Sequence, residues 1–118
     1  MLLFYPWAFS SICRGELAAV RDEHDRFTAA GAWVLAVSCD SMFTLRAYAD
    51  AEQITFDLLS DHWPHGSIAR AYGVFDEQAG CALRGSFLID ADGIITWAAV
   101  GGIDEPRTLA ELLEGLAA

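Results

Sequence analysis

The sequence predicts an α/β fold with a mixed central sheet flanked by helices. Three observations predict it. Two short apolar runs, Leu2 to Tyr5 and Ala32 to Ser38, bracket a segment of helical periodicity. Two later runs, Leu83 to Asp90 and Ile94 to Val100, are joined by the tight turn Ala91-Asp92-Gly93. A leucine stripe then closes the chain. A strand–helix–strand unit makes parallel strands with a right-handed crossover, and a tight turn makes an antiparallel pair.

In order, Leu2 to Tyr5 reads as a buried strand. Ser10 or Ser11 offers an N-cap, and a helix is expected to run to about Ala30 and stop at Gly31. Its apolar stripe is Cys13, Leu17, Val20, His24 and Phe27, with Arg14, Glu16, Arg21, Asp22 and Glu23 largely off it. Ala32 to Ser38 is the second buried strand. Asp40 or Ser41 caps a helix to about Ala49. Thr55 to Asp61 reads as a short edge strand, and Pro64 to Tyr72 as a short helix. The hairpin follows, broken by Gly101-Gly102. Asp104 is expected to cap the last helix, with Pro106 in its first turn and Leu109, Leu112, Leu113 and Leu116 facing the core. A βαβ half followed by a ββα half is the thioredoxin-like core. At 118 residues the chain is expected to be a single domain.

Composition excludes several functions. The net charge is −10, with seven arginines and no lysine, which disfavours nucleic acid and anionic membrane surfaces. With so few cations, each arginine is worth locating. Three cysteines form at most one internal disulfide, so this is no secreted disulfide scaffold. No CxxC, HExxH or Cys/His cluster points to a metal. No apolar run is long enough to cross a membrane. The N-terminus has no basic region, and Ile12 is not the small residue of a cleavage site. The cytoplasm is the expected compartment. Hydrophobic residues make up 54% and mean hydropathy is +0.30, high for so small a domain, which hints at an interface or a missing covering segment.

The chemistry centres on Cys13. A thioredoxin-like first strand delivers the chain to a helix N-terminus at the carboxyl edge of the sheet. Free backbone N–H groups and the helix dipole there favour an anion, and so a thiolate. A free thiol of pKa about 8.5 is already roughly 3% thiolate at pH 7. Full ionisation therefore gains only about 30-fold, whereas a positioned donor adds roughly 10²- to 10³-fold. The neighbours of Cys13 thus carry the information. Ser10 lies one helical turn before it. Pro6 closes the strand, lacks an N–H and can shield the sulfur. The later strand runs antiparallel to the first, so Arg84 at its start lies at the same edge as Cys13. No proline occupies Leu83 to Ser86, where a thioredoxin would have one, and Ser10 stands where a disulfide reductase would offer a first cysteine.

The spacing Pro6-x-x-x-Ser10-x-x-Cys13 resembles the peroxiredoxin motif P-x-x-x-[ST]-x-x-C. So do Cys13 to Leu17, Ser38 to Ser41, Leu58 to Phe75 and Arg84 to Gly93. The resemblance spans nearly the whole chain and is closest to the one-cysteine, AhpE-type branch. It implies that Cys13 is the peroxidatic cysteine, attacking a hydroperoxide and becoming a sulfenic acid. Ser10 would bond the peroxide and Pro6 would shield the pocket. Arg84 would steady the negative charge, and Glu16 would orient the arginine. The reductant would be a low-molecular-weight thiol or a thioredoxin- or glutaredoxin-like protein. No cofactor is implied, and a homodimer is common. Family members ordinarily carry a strand hairpin ahead of the first core strand, so the chain is expected to be N-terminally short and to expose apolar surface.

Cys39 and Cys81 are the possible resolving cysteines. Either could condense with a sulfenic acid if its Cα lies within about 7 Å of that of Cys13. Structural burial is the preferred expectation for both. Trp7 and Phe9 line either an apolar entrance or a dimer interface. Two other readings remain at this point: thiol–disulfide exchange by Cys13 with Cys39 or Cys81, and a truncated domain that only binds partners.

Overall fold

A computed structural model describes residues 1–117. The main sheet has five strands in the order β3-β2-β1-β6-β7. Strand β1 (Leu2–Phe4) lies at its centre, parallel to β2 (Leu35–Ser38) and antiparallel to β6 (Arg84–Ile89). Strand β3 (Asp57–Ser60) extends the parallel half, and β7 (Ile95–Gly101) pairs antiparallel with β6 at the other edge.

Because side chains alternate across a strand, β1 feeds two cores. Leu3 and Tyr5 join Leu17, Val20, Phe27, Leu45, Tyr48 and Leu112 on one face. That face is covered by α1 (Ser11–Asp22), α2 (His24–Ala29), α3 (Met42–Glu52) and α5 (Leu109–Ala117). Leu2 and Phe4 join Val37, Ala69, Val74, Ala82 and Phe87 on the other, beneath α4 (Ser67–Ala71) and a small hairpin of β4 (Phe75–Asp76) and β5 (Cys81–Ala82). The thioredoxin-like arrangement expected from the sequence is present.

Several boundaries differ from expectation. The single helix to Ala30 is two helices. At Glu23 the backbone opens to φ −111°, ψ 20°, and the chain re-enters helix at His24. His24 then packs on the Phe56 ring, 5.8 Å away, while Phe27 is fully buried. The second strand begins at Leu35 rather than Ala32, since Trp33 turns out to solvent and its carbonyl accepts the Met1 ammonium at 2.7 Å. The helix expected from Pro64 starts only at Ser67, where buried Asp61 accepts the N–H groups of Ile68 and Ala69. Ser41 caps α3 as expected, through the N–H of Thr44 at 3.2 Å. The last helix starts at Leu109, so neither Asp104 nor Pro106 opens it. The Thr108 hydroxyl accepts the N–H of Glu111 instead, and the stretch before it is held elsewhere.

Candidate active site

Strand β1 ends at Phe4, and its continuation Tyr5-Pro6-Trp7-Ala8-Phe9 turns the chain into α1. Ala8 is fixed by its N–H to Asp40 Oδ2 at 2.9 Å. Ser10 has the extended backbone of an N-cap (φ −73°, ψ 149°), and Cys13 falls in the first turn of the helix. Cys13 is 0% exposed, and Pro6 is among the fully buried side chains.

The antiparallel pairing of β6 with β1 brings Arg84 to this point. Its Nη1 donates to Cys13 Sγ at 3.2 Å and to Glu16 Oε1 at 2.5 Å, and its Nε donates to the Ile103 carbonyl at 2.7 Å. Arg84 and Glu16 are both buried. A guanidinium has fixed donor directions, so these three bonds hold one Arg84 nitrogen against the sulfur. Glu16 lies three residues after Cys13, about one helical turn on, which places its carboxylate where the arginine arrives.

Sequence reasoning missed Arg107. Its backbone N–H and its Nε donate to Glu16 Oε2 at 2.7 and 3.1 Å. Its Nη1 donates to the Gly85 carbonyl at 3.0 Å and to Ser86 Oγ at 2.9 Å, and its Nη2 to the Phe4 carbonyl. Burial lowers the Arg107 pKa, and the Glu16 carboxylate opposes that. Glu16 therefore sits between two arginines, one at the sulfur and one tying the 103–108 stretch to both central strands. The one available signal was scarcity: Arg107 is one of only seven cations in the chain.

A buried thiol at a helix start, a guanidinium on its sulfur and a shielding proline form one constellation. The family model described as "AhpC/TSA family" matches residues 1–98. The chain belongs to the AhpC/TSA peroxiredoxins. It is 42% identical to the alkyl hydroperoxide reductase E of Mycobacterium tuberculosis, over all of this chain and 79% of that protein. A putative peroxiredoxin of Synechocystis is 37% identical, over all of this chain and 62% of that one. The crystal structure of Enterococcus faecalis AhpC superposes with a TM-score of 0.91 at 32% identity, covering 98% of this chain and 71% of that one. As a peroxiredoxin the protein is a thiol-dependent peroxidase.

The remaining candidates of this peroxiredoxin divide. The Ser10 hydroxyl donates to the Trp7 carbonyl at 2.9 Å, so it stabilises the loop rather than pointing its proton at the sulfur. Cys39 and Cys81 are free and buried. Burial first, then Asp61, pushes the Cys39 thiol up to about 11. Burial first, then Asp76, pushes Cys81 up to about 11 against the opposing pull of Arg84. Trp7 and Phe9 are partly exposed at the rim of the loop. Among the described residues no helix is long and apolar enough to cross a membrane, and no cluster of His, Cys, Asp or Glu could hold a metal ion.

Proposed function

We propose that this peroxiredoxin reduces a hydroperoxide at Cys13. The Cys13 thiolate attacks the distal peroxide oxygen, an S–O bond forms and the O–O bond breaks. The sulfur loses two electrons and becomes a sulfenic acid. The leaving alkoxide takes a proton and departs as alcohol, or as water when the substrate is hydrogen peroxide. The observation that carries this reading is the Arg84 Nη1 contact with Cys13 Sγ at 3.2 Å. A donor already aimed at the sulfur stabilises charge as it spreads to the leaving oxygen, without reorganising. Glu16 and Arg107 keep the guanidinium in place. Pro6 keeps water off the thiolate and leaves no N–H to satisfy. Ser10 exchanges its bond to Trp7 for one to the incoming peroxide.

An external thiol, either a small molecule or a redoxin-like protein, then attacks the sulfenic sulfur, releasing water and leaving a mixed disulfide. A second thiol frees Cys13. Resolution within the chain is disfavoured because Cys39 and Cys81, raised to about 11, offer almost no thiolate at neutral pH. The same fact weighs against a disulfide-exchange enzyme. Free thiols suit a reducing compartment, and we place the reaction in the cytoplasm. The free edge of β7, with exposed Ile95 and Val100, supports a homodimer built across it.

Stopped-flow tryptophan fluorescence tests the reading. Reduced protein mixed with peroxide should show a fast phase, linear in peroxide concentration, that Cys13→Ser abolishes. A wild-type rate no faster than a free thiol would sink it.

A further inference from the structure

Buried donors normally find partners. Among the described residues, two buried side-chain polar atoms have none, the hydroxyls of Tyr5 and Tyr48. Both tyrosines are 0% exposed, and both belong to the apolar cluster that contains Cys13. They arrive from different directions. Tyr5 immediately precedes Pro6 at the end of β1, and Tyr48 lies on the inner face of α3.

The loop leading to Cys13 is built against Tyr48. Phe9 packs edge-on against the Tyr48 ring with centroids 5.0 Å apart. To do so it holds a left-handed backbone, φ 68°, that a bulky residue rarely adopts. Tyr48 is thus fixed under the segment that carries the peroxidatic sulfur. Its hydroxyl is kept protonated: burial first, then the charges of Glu52 and Cys13, push it up to about 12. Tyr5 differs: burial raises it too, but Ser38 lies close enough to its hydroxyl to oppose that rise. Ser38 itself donates to Asp40 Oδ2 at 2.6 Å. The cluster that holds Cys13 therefore keeps the Tyr48 O–H donor unused, while the Ser10 hydroxyl is engaged with Trp7.

We propose that the Tyr48 hydroxyl is the hydrogen-bond donor reserved for the oxygen atom that Cys13 acquires. In the reduced protein the donor is idle. When sulfur takes the distal oxygen from the peroxide, that oxygen brings lone pairs into the cluster, and the hydroxyl gains its partner. Arg84 serves the sulfur and the departing oxygen; Tyr48 serves the oxygen that stays. This rests on Cys13 being the oxidised residue.

The experiment compares wild type with Tyr48→Phe, which removes the hydroxyl and keeps the ring against Phe9. Each is treated with one equivalent of hydroperoxide. Three quantities are read: the gain of one oxygen on Cys13 by mass, the rate of the fluorescence phase, and the thermal midpoint before and after oxidation. The reduced variant should be as stable as wild type or more so, having lost an idle donor. After oxidation the order should invert, and Cys13 should oxidise about tenfold more slowly, the worth of one hydrogen bond. Tyr48→Leu, which also removes the hydroxyl and is read by its own shift on oxidation, provides the same readout should Tyr48→Phe fold poorly. Equal rates, with the same shift on oxidation in variant and wild type, overturn the proposal while leaving the peroxidase reading intact. A wild-type Cys13 that gains no oxygen overturns both.

Discussion

Cys13 and Cys81 are equally hidden, each 0% exposed, and Cys39 is nearly so at 3%. Solvent access does not separate them, yet their bonding partners differ. Cys13 receives a guanidinium nitrogen at 3.2 Å. Burial first, then the charge of Asp61 at Cys39 and of Asp76 at Cys81, holds both of the other thiols up near 11, with Arg84 opposing at Cys81. Burial with no cation bonded to the sulfur makes a cysteine an inert filler of the core. Burial against a fixed cation makes it a nucleophile. The protein contains both, so what matters is which partner the fold delivers to each sulfur.

The sharpest way to break that contrast is to remove the cation. Arg84→Met should lower the rate of Cys13 oxidation by roughly 10²- to 10³-fold. Alkylation of Cys13 at neutral pH should fall toward the level of Cys39 and Cys81. A variant that reacts at nearly the wild-type rate would mean that the helix terminus, not the guanidinium, distinguishes Cys13.

A smaller effect is expected one bond further out. Glu16→Gln leaves Arg84 and Arg107 buried without their shared counter-charge. Breaking such a pair costs about 3–5 kcal/mol of stability, measurable by urea unfolding. The oxidation rate should fall only about tenfold, because Arg84 keeps its bond to the Ile103 carbonyl. A rate loss equal to that of Arg84→Met would make Glu16 the controlling group instead.

The smallest effect concerns the inert pair. Cys39→Ser and Cys81→Ser should leave the peroxidase rate unchanged. They should alter alkaline stability instead. Both thiols hold their protons more tightly in the fold than the ordinary value of 9.0. The resulting stabilisation is full below pH 9 and is lost as pH climbs through about 11. Between pH 9 and 10 the thermal midpoint should fall in wild type and hold in the double variant; above pH 10 the raised tyrosines Tyr5 and Tyr48 add a fall of their own in both. A slowed catalytic cycle in either single variant would instead assign that cysteine to resolution.

Much of this was legible in the sequence because it is local or topological. Apolar runs mark β1 and β2, and the Asp90-to-Gly93 turn marks the β6–β7 hairpin, with Asp90 accepting the N–H groups of Asp92 and Ile94. Once β6 is antiparallel to β1, Arg84 must arrive beside Cys13, and helical spacing sets Glu16 beneath it. The break at Glu23 was hidden because the apolar stripe continues across it through His24 and Phe27. The β4–β5 hairpin has two-residue strands, too short for any period to register. Arg107 was hidden for another reason. Its partners lie up to 103 residues away and include backbone carbonyls, which leave no side-chain signature. Likewise, nothing in the spacing of Tyr5 and Tyr48 announces that their hydroxyls are without partners.

Arg107 also bears on the order in which the protein is made. Glu16 belongs to α1, and the donors to its second oxygen come 91 residues later. Chains form domains as they emerge from the ribosome, and here the sulfur's support is completed only once the segment carrying Arg107 has emerged. Until Arg107 clears the exit tunnel, Glu16 lacks those donors and the guanidinium at Cys13 is only half anchored. The sulfur's surroundings are therefore assembled late, after all five strands of the main sheet have been made.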